Sequence, residues 1–235
     1  MKNKILFTLL ALAGGSLLAA DSGPKDDLIA AAKKMVQQGY SWRTTLEMGN
    51  FSNVSDGKVD KDGLVQLTLT FNDSTTQVFL KDKKGAVKLP DQEWQSLEEL
   101  TSPDNTQRGP GRFMGRMLRD YKAPATQVAE LFDKIKQLNK DGDSYSADLT
   151  EAGAKTLLTM GGGRRGGNAP EASNAKGSVR IALKDGLVSK FELRLQGTMT
   201  INGEDREINR TVTVEVRDIG KTRLEVPAAA KEKLS

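Results

Sequence analysis

The chain of 235 residues contains no cysteine and no histidine. Without cysteine there is no disulfide, no thiolate nucleophile, no thiolate metal site and no cysteine to carry a lipid anchor. Without histidine, the commonest general base and the commonest transition-metal ligand are both missing. Any metal site would have to be built from oxygen ligands alone. No apolar run approaches the roughly 20 residues that a membrane-spanning helix needs. What is present is charge: 35 basic and 31 acidic residues, a formal net of +4.

Part of that excess sits at the beginning. Lys2 and Lys4 precede the short apolar run Ile5–Ala13, which Gly14, Gly15 and Ser16 interrupt before Leu18-Ala19-Ala20. A basic start, a short apolar stretch and small residues before Asp21 are the pattern of a secretory signal peptide cleaved near Ala20. An uncleaved anchor is the competing reading, and the Gly-Gly-Ser break argues against it. The expectation is a leader over residues 1–20 and a single exported domain over 21–235, periplasmic and free of disulfides. Losing Lys2 and Lys4 leaves 33 basic against 31 acidic residues, a net of +2. Charges that balanced and mixed give no support for nucleic-acid binding.

The mature chain changes period several times. Residues 25–38 place Leu28, Ala31, Ala32, Met35 and Val36 on one helical face, with Pro24 at the start and Gly39 at the end. From Tyr40 the period becomes two: Tyr40, Trp42, Thr44, Leu46 and Met48 share one side of a strand. Residues 50–63 have loop composition. Val65, Leu67, Leu69 and Phe71 alternate on a second strand, and residues 75–81 make a third. A short helix is expected from Asp91 to Leu100, an irregular middle over 101–124, and a helix over 125–138. A short strand over 144–149 and a helix from Thr150 to about Met160 follow. Residues 161–176 read as a mobile loop, as does the stretch near 101–112.

Beyond that loop the alternation returns. Val179, Ile181 and Leu183, then Phe191, Leu193, Leu195, Met199 and Ile201, then Ile208, Val212, Val214 and Val216 each mark one face of a strand. Asp185-Gly186 and Asn202-Gly203 are hairpin turns, Gly197 suits a bulge, and residues 222–226 suggest a last short strand. Tight hairpins with one apolar face predict an α+β fold. It would be a large curved antiparallel sheet, an unclosed β-barrel, with helices packed on its concave face.

This element order, with the ending Gly220-Lys221-Thr222-Arg223-Leu224-Glu225-Val226-Pro227, resembles the lipoprotein-carrier fold of LolA and LolB. It is also similar to the mycobacterial lipid-binding lipoproteins LprG and LppX, although a lipidated cysteine is absent here. The resemblance implies an apolar cavity between sheet and helices that holds acyl chains. Trp42, Leu46, Val65, Leu67, Leu69, Phe71, Phe191, Leu193, Leu195, Val212 and Val214 would line it. The competing reading of the same residues is an ordinary core filled by the helices.

Three further segments are candidates. In Arg108–Lys122 the residues Phe113, Met114, Met117, Leu118 and Tyr121 cluster at helical spacing, flanked by Arg112, Arg116 and Arg119. That is a basic amphipathic rim or lid suited to anionic headgroups, or else a helix capping the core with a solvated arginine face. Met160–Asn168, with Arg164 and Arg165, could cradle an anion. It lacks the Lys-Ser/Thr of a phosphate loop and reads better as a flexible loop. Asp60-Lys61-Asp62-Gly63 and Asn139–Asp143 have calcium-loop composition but the wrong ligands in register, so both read as turns.

There is no Gly-x-Ser-x-Gly elbow and no distinctive acidic pair. The expectation is a monomeric, non-catalytic protein without metal or cofactor. It would carry a lipid, lipoprotein or other amphiphile, with transient contacts to the membrane surface or envelope proteins. A non-catalytic envelope scaffold with a filled core is the alternative.

Exchanging Arg112→Glu together with Arg116→Glu tests the rim. Sedimentation with anionic vesicles is expected to show weaker association than wild type, with the thermal midpoint unchanged. Equal vesicle binding would remove the lid reading.

Overall fold

Period-two alternation becomes hairpins wherever a short turn lets the chain reverse. Asp185 and Gly186 show the principle: both take positive φ, +55° and +71°, as the tight turn between two right-twisted strands requires. The computed structural model describes residues 23–71, 74–102, 110–159, 171–201 and 203–234. The expected leader and the Met160–Asn168 segment lie outside them.

The chain opens with helix α1 (Pro24–Val36), then strands β1 (Tyr40–Met48), β2 (Phe51–Val59), β3 (Val65–Phe71), β4 (Ser74–Lys81), β5 (Lys84–Lys88) and β6 (Trp94–Ser96). Helices α2 (Leu97–Thr101), α3 (Pro110–Arg119) and α4 (Pro124–Leu131) form the middle. Strands β7 (Asn139–Asp141) and β8 (Ser144–Asp148), helix α5 (Glu151–Thr159), strands β9 (Glu171–Lys184), β10 (Leu187–Ile201) and β11 (Glu204–Arg217), and helix α6 (Ala228–Lys233) complete it.

Among the described residues, eleven strands form one sheet in the order β6-β5-β4-β3-β2-β1-β11-β10-β9-β8-β7. Every pairing is antiparallel. Two meanders therefore run outward from a central β1–β11 pair, and the ends do not meet: the sheet is not closed into a barrel. The fold is α+β, as the sequence predicts.

The main core lies between this sheet and α1 and α4. Leu28, Ala31 and Met35 of α1 and Ala125, Val128 and Leu131 of α4 are buried against Trp42, Leu67, Phe191 and Val214. Each large apolar side chain buried in this way contributes about 1.5–3 kcal/mol. Strand β1 also holds α4 by a polar contact. The Ala125 N–H, in the first turn of α4 where no intrahelical acceptor exists, donates to the Tyr40 hydroxyl at 3.0 Å. Burial pushes the Tyr40 phenol up to about 12, so it stays neutral.

Several expectations are corrected. The polar stretch expected as a loop over 50–63 contains β2, paired along its whole length with β1. Gly57 explains why a strand of that composition belongs there: the Trp42 indole lies across it. A Cβ at Gly57 would fall 2.1 Å from the ring. The helix expected over 125–138 ends at Leu131. Beyond it Lys136 N–H donates to the Asp148 carbonyl at 2.8 Å, and Ile135 bridges Leu149, so the chain joins the sheet instead. The segment 91–100 is divided between β6 and α2, whose N-cap Ser96 forms a capping box with Glu99. Residues 110–119, expected as part of an irregular middle, form α3. Residues 171–176, expected in a mobile loop, already belong to β9. Residues 222–226 are not a strand. They lead into α6, whose Ala230 packs with Phe79, Ala86 and Trp94 on the opposite face of the sheet.

Gly57→Ala is expected to cost about 1–3 kcal/mol of stability in denaturant unfolding, from overpacking against Trp42. A Trp42→Leu background should remove most of that increment. An equal penalty in both backgrounds would mean that the indole is not the obstacle.

Candidate functional site

The face of the sheet that meets α1 and α4 is not covered along its whole length. Side chains on a strand alternate between faces, so the register identifies which residues share this one. Trp42, Thr44, Leu46 and Met48 of β1 pair with Gly57, Ser55, Asn53 and Phe51 of β2 on one side. On the other side they pair with Val216, Val214, Val212 and Arg210 of β11.

The residues expected to line a cavity fall into two groups. Trp42, Val65, Leu67, Phe191 and Val214 are buried under the helices and are part of the packed core. Leu69, Leu193 and Val212 are half-buried against its margin. Leu195 is fully buried in a second cluster, in which Ala154 and Leu158 of α5 cover Ala172, Ala175 and Met199. Leu46 is half-buried. Phe71 is 58% exposed.

Leu46 and Phe71 belong to an apolar stretch beyond the edge of the helices. Met48 and Phe51 face each other in register and are 40% and 38% exposed. The Phe51 and Phe71 rings lie 6.1 Å apart, tilted by 42°. Leu46 and Leu69 sit two residues along the same strands and join this stretch to the core. Met48 and Phe51 are absent from the expected site. Met48 lies in the alternation of Tyr40, Trp42, Thr44 and Leu46, which does mark its face; Phe51 begins a strand whose polar composition conceals it.

Arg210 is the second feature that sequence reasoning missed. It occupies the apolar register of β11, between Ile208 and Val212, opposite Leu195 on β10 and Met48 on β1. Its Nη2 donates to the Leu157 carbonyl in the last turn of α5 at 2.6 Å. Its Nε is buried with no hydrogen-bond acceptor. Desolvation holds the guanidinium below its ordinary pKa. The signal for it was available: a lone charge in a run of alternating apolar residues.

The basic rim is distributed along α3. Leu118 is buried and Met114 packs against the core, while Gly111 and Gly115 face Leu100 and Thr101 of α2. Arg116 and Met117 are exposed, and Arg119 Nη2 donates to Thr101 Oγ1 at 2.9 Å. The side chains of Arg112 and Phe113 lie outside the described residues.

Two concavities lie elsewhere. A groove of about 460 Å³ on the other face is lined by Ser144, Ser146, Arg180, Lys190, Glu192 and Arg194. Its charges are partly spent on one another, since Arg194 Nε is 2.8 Å from Glu192. A cavity of about 110 Å³ lies beside Leu118 and Tyr121. The calcium-like Asp60 is committed to its turn, where its Oδ1 accepts from the N–H groups of Asp62 and Leu64, both at 2.9 Å. Among the described residues, no helix is long and apolar enough to cross a membrane.

No family model and no curated protein matches the chain. Solved structures with a similar extent include a DUF1329 family protein from Desulfovibrio piger, at 10% identity and a TM-score of 0.32 over 82% of this chain and 89% of that one. MucB in complex with MucA(peri) follows at 11% identity and a TM-score of 0.20, over 89% of this chain and 96% of that one. A bifunctional dehydratase-cyclase domain from ambruticin biosynthesis has 11% identity and a TM-score of 0.18, over 83% and 80%. TM-scores this low transfer no function. The LolA-like relationship stays a resemblance of element order.

Proposed function

We propose that this chain is an exported, non-catalytic binding protein for a lipid or other amphiphile. The apolar part of the ligand lies on the uncovered stretch of the sheet formed by Leu46, Met48, Phe51, Leu69 and Phe71. The observation that carries this reading is the exposure of Met48, Phe51 and Phe71 on the very face that is buried elsewhere. Contiguous apolar surface on a soluble domain is characteristic of a binding surface. The leader-like residues 1–20 support export to the periplasm, and the absence of histidine and cysteine favours binding over catalysis.

The mode of binding differs from a deep internal cavity. Under α1 and α4 the core is filled: Trp42, Leu67, Phe191 and Val214 are each no more than 3% exposed. That packing favours a second reading, an envelope interaction module whose open stretch receives an apolar protein segment.

Titration with an environment-sensitive acyl probe separates the two, alongside solvent extraction of the purified protein. Phe51→Ser with Phe71→Ser is expected to weaken probe binding by about tenfold or more. Unfolding should be affected little, because both side chains are substantially exposed. Unchanged probe affinity, with no amphiphile in the extract, would replace the carrier reading with the interaction module.

A further inference from the structure

Arg210 is the charged residue at the centre of this face. Across β10, β11, β1, β2 and β3, the other charged side chains in its register are Glu204 and Arg206. These lie at the far end of β11 and pair with each other at 3.1 Å. Arg210 has no such partner among the described residues. Its cross-strand neighbours are Leu195 and Met48, and its neighbours along the strand face are Ile208 and Val212. The contrast with Arg43 is informative. Arg43 uses Nε and Nη2 together on the Asp56 carboxylate, at 2.9 Å and 3.1 Å, whereas Arg210 offers only Nη2 to a neutral carbonyl.

A guanidinium removed from water without a counter-charge is costly, and an anion that joins it there is correspondingly favoured. Arg210 as a whole is only half-buried, although its Nε is out of solvent and its Nη2 is committed to Leu157, so a ligand on the open side meets the part of the side chain that is still exposed. Its position is also suggestive. The row Leu195, Arg210, Met48 and Phe51 crosses four adjacent strands, and Phe71 stands beside Phe51 on the next. Arg210 thus lies three strand spacings across and two residues along from Phe71, about 16 Å. One cation lies within this row, between Leu195 and Met48, and on the Met48 side apolar side chains lead away from it towards Phe51 and Phe71.

We propose that Arg210 receives the carboxylate of a single-chain fatty acid whose tail lies over Met48, Phe51 and Phe71. One guanidinium with one donor already committed suits a monoanionic carboxylate better than a phosphate, which accepts more hydrogen bonds. The inference rests on the carrier reading above and adds the class of headgroup.

Calorimetric titration of the purified protein with dodecanoate and with dodecanol tests it. Wild type is expected to bind dodecanoate at least about tenfold more tightly, as a charge-assisted hydrogen bond predicts. Arg210→Gln should lose that preference while binding dodecanol as before, and Arg210→Lys should keep part of it. Acetate should fail to compete. Equal affinity of wild type for the two ligands would overturn the headgroup assignment and leave the carrier reading standing. So would a preference that persists in Arg210→Gln. Competition by acetate would reduce the site to a simple anion site. Failure of wild type to bind either ligand would overturn both. Should Arg210→Gln not fold, the wild-type comparison and Arg210→Lys still decide.

Discussion

The structure depends on a mismatch between a wide sheet and the small amount of helix available to cover it. Eleven strands about 4.8 Å apart give a sheet roughly 50 Å across. A helix covers about 10 Å of that width. Helices α1 and α4 can therefore bury only a central region. There Leu28, Met35, Val128, Trp42 and Phe191 close a dry core. The long strands β9, β10 and β11, of 14, 15 and 14 residues, outrun that cover. Helix α5 extends it over Leu195 and Met199. What neither group reaches is the end of the face at Met48, Phe51 and Phe71. Arg210 stands at the border, holding the last turn of α5 by the Leu157 carbonyl while facing the open stretch.

Much of the architecture was legible because alternation and turn chemistry are local. Tyr40–Met48, Val65–Phe71 and the three C-terminal strands follow directly from period two. Thr150 caps α5 through its hydroxyl, which accepts from Gly153 N–H at 3.0 Å, as a threonine before a helix should. The failures occurred where tertiary pairing overrides composition. Strand β2 carries Ser52, Asn53, Ser55, Asp56 and Gly57 and has weak strand preference of its own. It is held by neighbours on both sides and by the indole stacked on Gly57. Past Leu131 the apolar residues Ile135 and Leu138 keep a helical spacing and still pack on the core, but along a different backbone path. Spacing identifies which residues are buried more reliably than which element buries them.

The same distinction governs the site. Strict alternation puts Trp42, Leu46, Leu67, Leu69 and Phe71 on one face, where the register also has them, but it cannot say where the helices stop. Leu67 and Phe71 are indistinguishable by pattern, four residues apart on one strand; one is 3% exposed and the other 58%. The helices decide between them. Apolar alternation marks the face through Ile208, Val212, Val214 and Val216 and passes over Arg210, which shares their register. A basic residue in apolar register is itself the informative departure, since every other side chain nearby makes its charge harder to accommodate.

The proposed carrier binds its ligand on the open end of this face. A fatty acid bearing a photoreactive diazirine in its chain, cross-linked to the purified protein and mapped by peptide mass spectrometry, tests that claim most directly. The account predicts adducts concentrated in 46–51 and 69–71. Adducts confined to α3, or to the groove beside Arg180 and Arg194 on the opposite face, would contradict it.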